Sequence, residues 1–562
     1  MDRETRRTIE EFRRTEATPI ENNLIDELAG GELDREDFLR RGAMFGVSAG
    51  ILGGLLAMAG EATAAPAAPA ARRAVKAGGT ARVGLVKFGA SLEPYLLQEF
   101  GALGLAGIPG EYLTFSDNSL KVQPWLAESW KANKDATVWT FQIRKGVKFH
   151  NGKTLTADDV VATYKVLTGR KQSQALSVYQ GVLEPAGVIR KGPYTVEFRL
   201  NQPTGGFPYL VSQTTYQAVI QPKSVKPDTW VANKMVGTGP FQLKSYAEKR
   251  NAEFVRFSGY WGGRAPLDGV KTTFYEGSAP MALALRAGQL DIVSQLTPLE
   301  AQTFAKSSRY KVLEAKTSTH RQFCLRVDRD PFKDPRVRRA IALTLGRPDL
   351  VSRLILGKGT LGNDSPFWSA YPSTDPSIKQ RQQNVALAKA LLQAAGQPNP
   401  KFTITTHRLQ EIPDYAAAIQ ASGREAGMDI SIELQSDAEY YGGDANDYYG
   451  TTPWIVRPST ITEWGARSIP NVFLVAAFAS DGIWNAAHYK NAQFDVAMKA
   501  FLGAVDVQTQ RKYTKQMAGL LLRDTPVVIS YFYNYVTGVG SKVQNYQPEG
   551  LGHIRLAKTS FA

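Results

Sequence analysis

The sequence predicts an α/β protein of two lobes joined by a hinge, and three observations carry that expectation. The chain has 562 residues, enough for two lobes that each bury a core of their own. Strand-like and helix-like segments alternate through its middle and second half, the grammar of α/β architecture. Two strand-like segments, residues 322–327 and 527–536, stand where the chain would pass from one lobe to the other and return. Two crossings make a hinge, and a hinge leaves a cleft between rigid bodies. An aromatic content of 10% fits a packed globular protein. Cys324 is the only cysteine, which excludes an intramolecular disulfide and a thiolate metal cluster.

The chain opens on a segment of different character. Residues 1–33 are polar and charged, with no sustained apolar period. Basic residues then precede an apolar run over 43–59 and the small residues Ala62-Thr63-Ala64. That order is the three-part export signal, with cleavage expected near Ala64. The run is glycine-rich and looks like a twin-arginine signal. If Phe38-Leu39 is aligned with that motif, Glu36 occupies the place of the second arginine, while Arg40-Arg41 offers a later pair. The twin-arginine and general secretory routes both stay open. A retained membrane anchor competes with cleavage, because the run approaches the length of a span. No cysteine follows the run, so a lipoprotein anchor is excluded. The expected division is a leader over 1–64, an Ala/Pro-rich linker over 65–79, lobe I over 80–321, lobe II over 322–526, and a return to lobe I over 527–562.

Charge narrows the partners. The formal net charge is +15, and the first 64 residues carry eight arginines against thirteen acids, which leaves +20 for the remainder. Lys and Arg form no long run, so the balance reads as a high-pI surface and no nucleic-acid groove is expected.

Within the folded part, residues 80–86 read as the first strand. The stretch 124–167 organises the rest of this lobe: Phe141, Ile143, Val147 and Phe149 stand at even separations, as in strands with one buried face. Asn151-Gly152 marks a turn. Thr156 and Asp159 form a capping box that opens a helix carrying Val160, Val161, Tyr164 and Leu167. A strand is expected at 195–200 and a helix at 280–288. Asp334 and Pro335 cap and start another helix. Helix 385–395 stops at Gly396, and strand 402–406, helix 415–426 and strand 430–434 continue the alternation.

Several blocks carry a resemblance. They are Leu126-Ala127-Glu128-Ser129-Trp130, Trp139-Thr140-Phe141, Arg144 to His150, GTGPFQL from Gly237, YWGGRAPLDGV from Tyr260, ALRAGQLDIV from Ala284, DPFKDPRVRRAIALTLGR from Asp330 and WNAAHYKNAQFD from Trp484. In this order they resemble the signature of the peptide/nickel-type (family 5) solute-binding proteins of ABC importers, over roughly residue 78 to the C-terminus. The resemblance implies a two-lobed periplasmic binding protein of type II, the large peptide-binding type. It implies a monomer in the periplasm that takes a peptide or other small polar or anionic solute, with an ABC permease and its ATPase as partners. Membrane contact would come through the permease only. No cofactor, metal or catalytic residue is implied. A ligand-sensing or chaperone-like module on the same scaffold is the alternative, and a cell-envelope enzyme a weaker one.

Other motifs carry no chemistry in their contexts. Gly46-Val47-Ser48-Ala49-Gly50 spells a hydrolase elbow inside the export signal, with no preceding strand. Residues 357–362 spell a dinucleotide fingerprint after a helix, and are expected to be a helix-ending loop. The five histidines lie far apart, without metal-ligand spacing.

In peptide-binding relatives, a tryptophan followed three residues later by an aspartate supplies the carboxylate for a peptide's α-ammonium. Aligned on Trp454, the position of the acid is held by Arg457, which inverts the charge and favours an anion. Pairing of Arg457 with Glu463 or Asp447 is the alternative. Tyr112, in the block Glu111-Tyr112-Leu113, falls where relatives line the cleft floor. Gln322 and Cys324 alternate on the crossing strand. Trp484 and Asn485 belong to a shared block, and Tyr531 shares a face with Tyr533 on the return strand. Core packing or turn-fixing competes with ligand contact at Tyr112, Trp454, Trp484, Asn485 and Tyr531.

Overall fold

Two large sheets, each with its own apolar core, organise the computed structural model, which describes residues 78–89, 91–444 and 447–562. The expected leader and export signal, the hydrolase-like pentapeptide within it and most of the linker lie outside those residues.

The first sheet has seven strands in the order Tyr310–Ala315, Tyr535–Gly540, Ile292–Val293, Thr80–Val86, Gly269–Tyr275, Asn251–Arg256 and Phe241–Ala247. The strand read at 80–86 is therefore central, pairing in parallel with both neighbours, and Val83 and Leu85 are buried. Beside it stands a four-stranded antiparallel sheet, two of whose strands come from the stretch 124–167: Ala127–Ala132, Val138–Ile143, Thr195–Arg199 and Val188–Gly192. Both sheets feed one core.

The signature holds that core together at a distance. Thr156 meets its partner as read: its backbone N–H donates to Asp159 Oδ2 at 2.8 Å, and helix Ala157–Gly169 follows. His150 clamps the GTGPFQL block. Its Nδ1 accepts from Gly237 N at 3.2 Å and its Nε2 donates to Gly239 O at 2.9 Å, a pattern that requires the neutral imidazole. Burial lowers its pKa to about 4, which keeps it neutral. A Cβ at Gly237 would lie 2.0 Å from Pro109 O, so only glycine allows this approach. Val147 and Phe149 are buried but leave the strand. The strand ends at Ile143, the chain turns at Lys145-Gly146, and a lone bridge joins Lys148 to Thr154.

The second sheet runs Gly359–Leu361, Tyr531–Tyr533, His320–Leu325, Ser459–Trp464, Lys401–His407 and Asp429–Gln435, with Val527–Val528 also paired to His320–Leu325. Helices Pro335–Leu343, Val385–Ala394 and Ile412–Glu425 cover one face. Asp334 caps the first of them, accepting from Arg336 N at 2.7 Å.

Residues 357–362 are a helix-ending loop only at Gly357 and Lys358, whose N–H groups donate back to Val351 O and Ile355 O. Gly359–Leu361 is an edge strand against Tyr531–Tyr533. A Cβ on Gly359 would meet Phe532 O at 2.3 Å, so glycine here serves close pairing and no phosphate.

This edge is tied down by a fully buried carboxylate. Asp364 Oδ1 accepts from Arg347 Nη2 at 2.6 Å and Ile529 N at 3.3 Å, and Arg381 Nε lies 2.9 Å from Oδ2. Removing one member of a buried ionic cluster strands the others. Asp364→Ala is expected to cost about 3–5 kcal/mol in urea unfolding. A loss below ~1 kcal/mol would show that the two guanidiniums find other acceptors.

Candidate functional site

The chain crosses between the sheets twice, and the two crossings are bonded to each other. Tyr310–Ala315 pairs antiparallel with Tyr535–Gly540, up to Ala315 opposite Tyr535. Beyond that point Tyr533 N donates to Thr319 O at 2.9 Å, and Thr317 Oγ1 donates to Tyr533 O at 2.7 Å. Thr317, Ser318 and Thr319 are buried.

Strand alternation then sorts the side chains of the second sheet. His320 stands opposite Trp464, Gln322 opposite Thr462 and Cys324 opposite Thr460, so these six share a face. Arg321, Phe323, Leu325 and Ile461 take the other face, which is the helix-covered core. The first face is covered by short helical segments. Tyr441 Oη lies 2.9 Å from Thr462 Oγ1, and Thr460 Oγ1 donates to Trp454 O at 3.0 Å. Trp464 meets Phe473 and Trp484 edge-on, each with centroids 5.7 Å apart. The belt contains polar atoms without partners: Gln322 Oε1, Trp454 Nε1 and Trp464 Nε1 are buried and make no hydrogen bond.

Three residues beyond Trp464 lies Arg467, fixed at the crossing by its backbone. Its N–H donates to Ser318 Oγ at 2.8 Å, and its carbonyl accepts from Ser318 Oγ and Tyr371 Oη, each at 2.8 Å. The side chain reaches to the first core. Nη1 donates to Tyr216 Oη, and the guanidinium lies 4.5 Å over the Tyr216 ring. Next to it, Thr214 and Ser468 hydroxyls are 2.8 Å apart.

Behind Tyr216 the first core presents a polar chain. Tyr112 Oη donates to Tyr216 O at 2.9 Å and accepts from His553 Nε2 at 3.0 Å. Glu549 lies beside His553 and 2.5 Å from Arg555 Nε, and Arg555 stacks on Trp125 at 4.0 Å. Glu111 accepts from Trp125, Trp261, Tyr260 and Thr238 at 2.7–3.0 Å. Burial raises the Glu111 pKa against these neutral donors. It is a hub that orders two indoles.

The residues expected from the sequence separate into two groups. Trp484 meets Trp464, while Gln322 lies on the same face opposite Thr462 and Trp454 lies over Thr460 and beside Tyr441. Tyr112 is fully buried with its hydroxyl spent internally. Tyr531 lies in the second core and donates to Glu411 at 3.0 Å. Asn485 fixes its own loop: its amide reaches Ala479 O and Tyr489 O, and its oxygen accepts from Tyr489 N. Arg457 is half exposed and 3.6 Å from Glu433. Neither acid expected as its partner serves, since Glu463 is taken by His407 at 2.9 Å and Tyr441 at 2.6 Å. The alignment on Trp454 missed a second pair with the same spacing, Trp464 and Arg467. Its signal was the alternation Thr460, Thr462, Trp464, which ends a strand where Trp454 begins a one-turn helix.

Known proteins share this fold. The model of the bacterial extracellular solute-binding proteins, family 5, matches residues 121–485, well over half of the chain. The chain belongs to that family. Oligopeptide-binding protein AppA of Bacillus subtilis is 25% identical over 468 residues, 78% of this chain and 83% of AppA. Periplasmic oligopeptide-binding protein OppA of Haemophilus influenzae is 28% identical over 464 residues, 76% and 82% of the two chains. The structure of the periplasmic binding protein DppA of Helicobacter pylori with peptide STSA superposes with a TM-score of 0.72 at 24% identity, covering 86% of this chain and 98% of DppA. This family 5 chain is accordingly a two-lobed, type II binding protein and not an enzyme.

Burial pushes the Glu549 carboxyl up to about 7. A carboxyl raised on folding stabilises the folded state most at acid pH, and that contribution is lost as pH climbs from about 4.5 through 7. Relative to Glu549→Gln, wild type is expected to lose about 3 kcal/mol of urea stability between pH 4.5 and 8. A constant difference would show that Arg555 holds the carboxylate ionised throughout.

Proposed function

We propose that this chain is the exported solute-binding component of an ABC importer, capturing a peptide or other small polar or anionic solute between the two sheets for delivery to a permease. The observation that carries it is the pair of mutually bonded crossings with a belt of unpartnered buried polar atoms beside them. A solute that satisfies those atoms and touches both lobes binds the closed arrangement better than the open one, so it shifts the population towards closure. Relatives whose names specify oligopeptide, nickel and heme support a small guest without fixing its identity.

The lobes in this reading are residues 80–315 with 535–562, and residues 320–533. The leader over 1–64 directs export to the periplasm and is cleaved near Ala64, and the mature chain acts as a monomer. Among the described residues no helix is long and apolar enough to cross a membrane. Trp464, Arg467, Trp484, Trp454 and Gln322 contact the solute. Tyr112, Tyr531 and Asn485 shape the walls, and Arg457 stays with Glu433.

Native mass spectrometry of the purified protein is expected to find a bound solute. Stripping it should enlarge the radius of gyration in X-ray scattering, and adding it back should reverse the change. An identical scattering profile under all conditions, with no solute recovered, would sink the proposal. Arg457→Ala should leave affinity for that solute within about twofold, as for an exposed ion pair. A tenfold loss would return Arg457 to the site.

A further inference from the structure

Most buried guanidiniums of the described residues face a carboxylate, although single N–H groups on some of them, such as Arg321 Nη1, Arg347 Nε and Arg555 Nη2, are also buried without an acceptor. Arg321 pairs with Glu411 at 2.8 Å, Arg347 and Arg381 with Asp364, Arg326 with Asp328 at 2.6 Å, and Arg555 with Glu549. Arg338 has no carboxylate but donates to the carbonyls of Phe332, Lys333, Asp524 and Thr525. Arg467 differs. All its hydrogen bonds leave from Nη1, to Tyr216 Oη and to the carbonyls of Gly465 and Ala466. Its Nε is buried and has no partner. No carboxylate of the described residues forms an ion pair with it.

A positive charge partly removed from water and left without a counter-charge is costly, and so is a buried N–H with no acceptor. Both costs vanish if one planar anion meets the Nε edge, where guanidinium geometry favours two parallel hydrogen bonds to a carboxylate. Arg467 cannot turn away to find another partner, because Ser318 and Tyr371 fix its backbone and Tyr216 holds its other edge. The neighbours that face it across the crossing, Thr214, Tyr216 and Ser468, carry no negative charge. An ammonium placed here would meet repulsion with nothing to offset it.

We propose that the solute is anchored by a carboxylate on the Nε edge of Arg467, and that no free amine is required. The inference rests on the solute-binding function proposed above and names the solute class. Trp464, three residues before Arg467, and Trp484, edge to face with that indole, supply apolar area for the rest of the molecule.

The test uses two mixtures offered to the solute-stripped full chain, read by native mass spectrometry and titration calorimetry: N-acetylated dipeptides with a free carboxylate, and C-amidated dipeptides with a free amine. Members of the acetylated set are expected to bind and the amidated set to be excluded. Arg467→Gln should weaken the best acetylated probe by at least about 30-fold, and Arg467→Lys, which keeps the charge but loses the fork, by less. Thermal unfolding midpoints of both variants near that of wild type would separate lost recognition from lost folding. Binding of the amidated set alone would overturn the carboxylate anchor while leaving the solute-binding function in place. Equal affinity of wild type and Arg467→Gln for an acetylated probe would overturn it too. Uptake of inorganic phosphate with no acetylated probe would overturn the carboxylate assignment. Binding of neither set, with no solute found in the purified protein, would remove both the inference and the function beneath it.

Discussion

Everything in this molecule depends on two peptide crossings that are hydrogen-bonded to each other. The two cores share no strand, so each can move only as the segments 316–319 and 534 allow. Because Tyr533 and Thr319 are bonded across the gap, those segments bend together. Side chains that reach from one core to the other include the polar pairs Arg467 to Tyr216 and Ser468 to Thr214, together with the apolar Ile469. Polar contacts of this kind exchange with water at small net cost, which suits an interface that opens. Most of the apolar burial lies within each core, where it gives rigidity.

Buried charge is handled in distinct ways. Asp364 sits between two guanidiniums, and its role is to fasten a sheet edge. Glu111 gathers four neutral donors and orders Trp125 and Trp261 around itself. Glu549 is pushed towards neutrality by burial, with Arg555 opposing that shift. Arg467 differs from Arg321, Arg347, Arg381, Arg326 and Arg555 in having no carboxylate beside it among the described residues.

Much of the scaffold was legible in the sequence because its signals are local. The strand at 80–86, the Thr156 capping box, the Asp334-Pro335 helix start and the alternation over 385–435 each depend on neighbours a few residues away. The apolar run 527–536 was legible as strand but not as three strands. Both sheets bury it, so nothing in its composition marks that residues up to Tyr533 pair in the second sheet and that Tyr535 begins pairing in the first. The candidate site was legible in kind and displaced in position. Trp454-Arg457 and Trp464-Arg467 have the same spacing, and what separates them is long-range: one arginine finds Glu433, the other reaches a tyrosine more than two hundred positions away in the chain.

The order of strands has a consequence for how the chain is made. The second sheet needs only residues 320–533, whereas the first places Thr80–Val86 two strands away from Tyr535–Gly540. A growing polypeptide can therefore finish its middle lobe while the other still waits for its last strand. Until residue 540 emerges, Ile292–Val293 and Tyr310–Ala315 each have an open flank, and an unfilled strand edge is what invites pairing with the wrong molecule. Synthesis thus leaves the first sheet with a gap between two of its strands while residues 316–534 are being made.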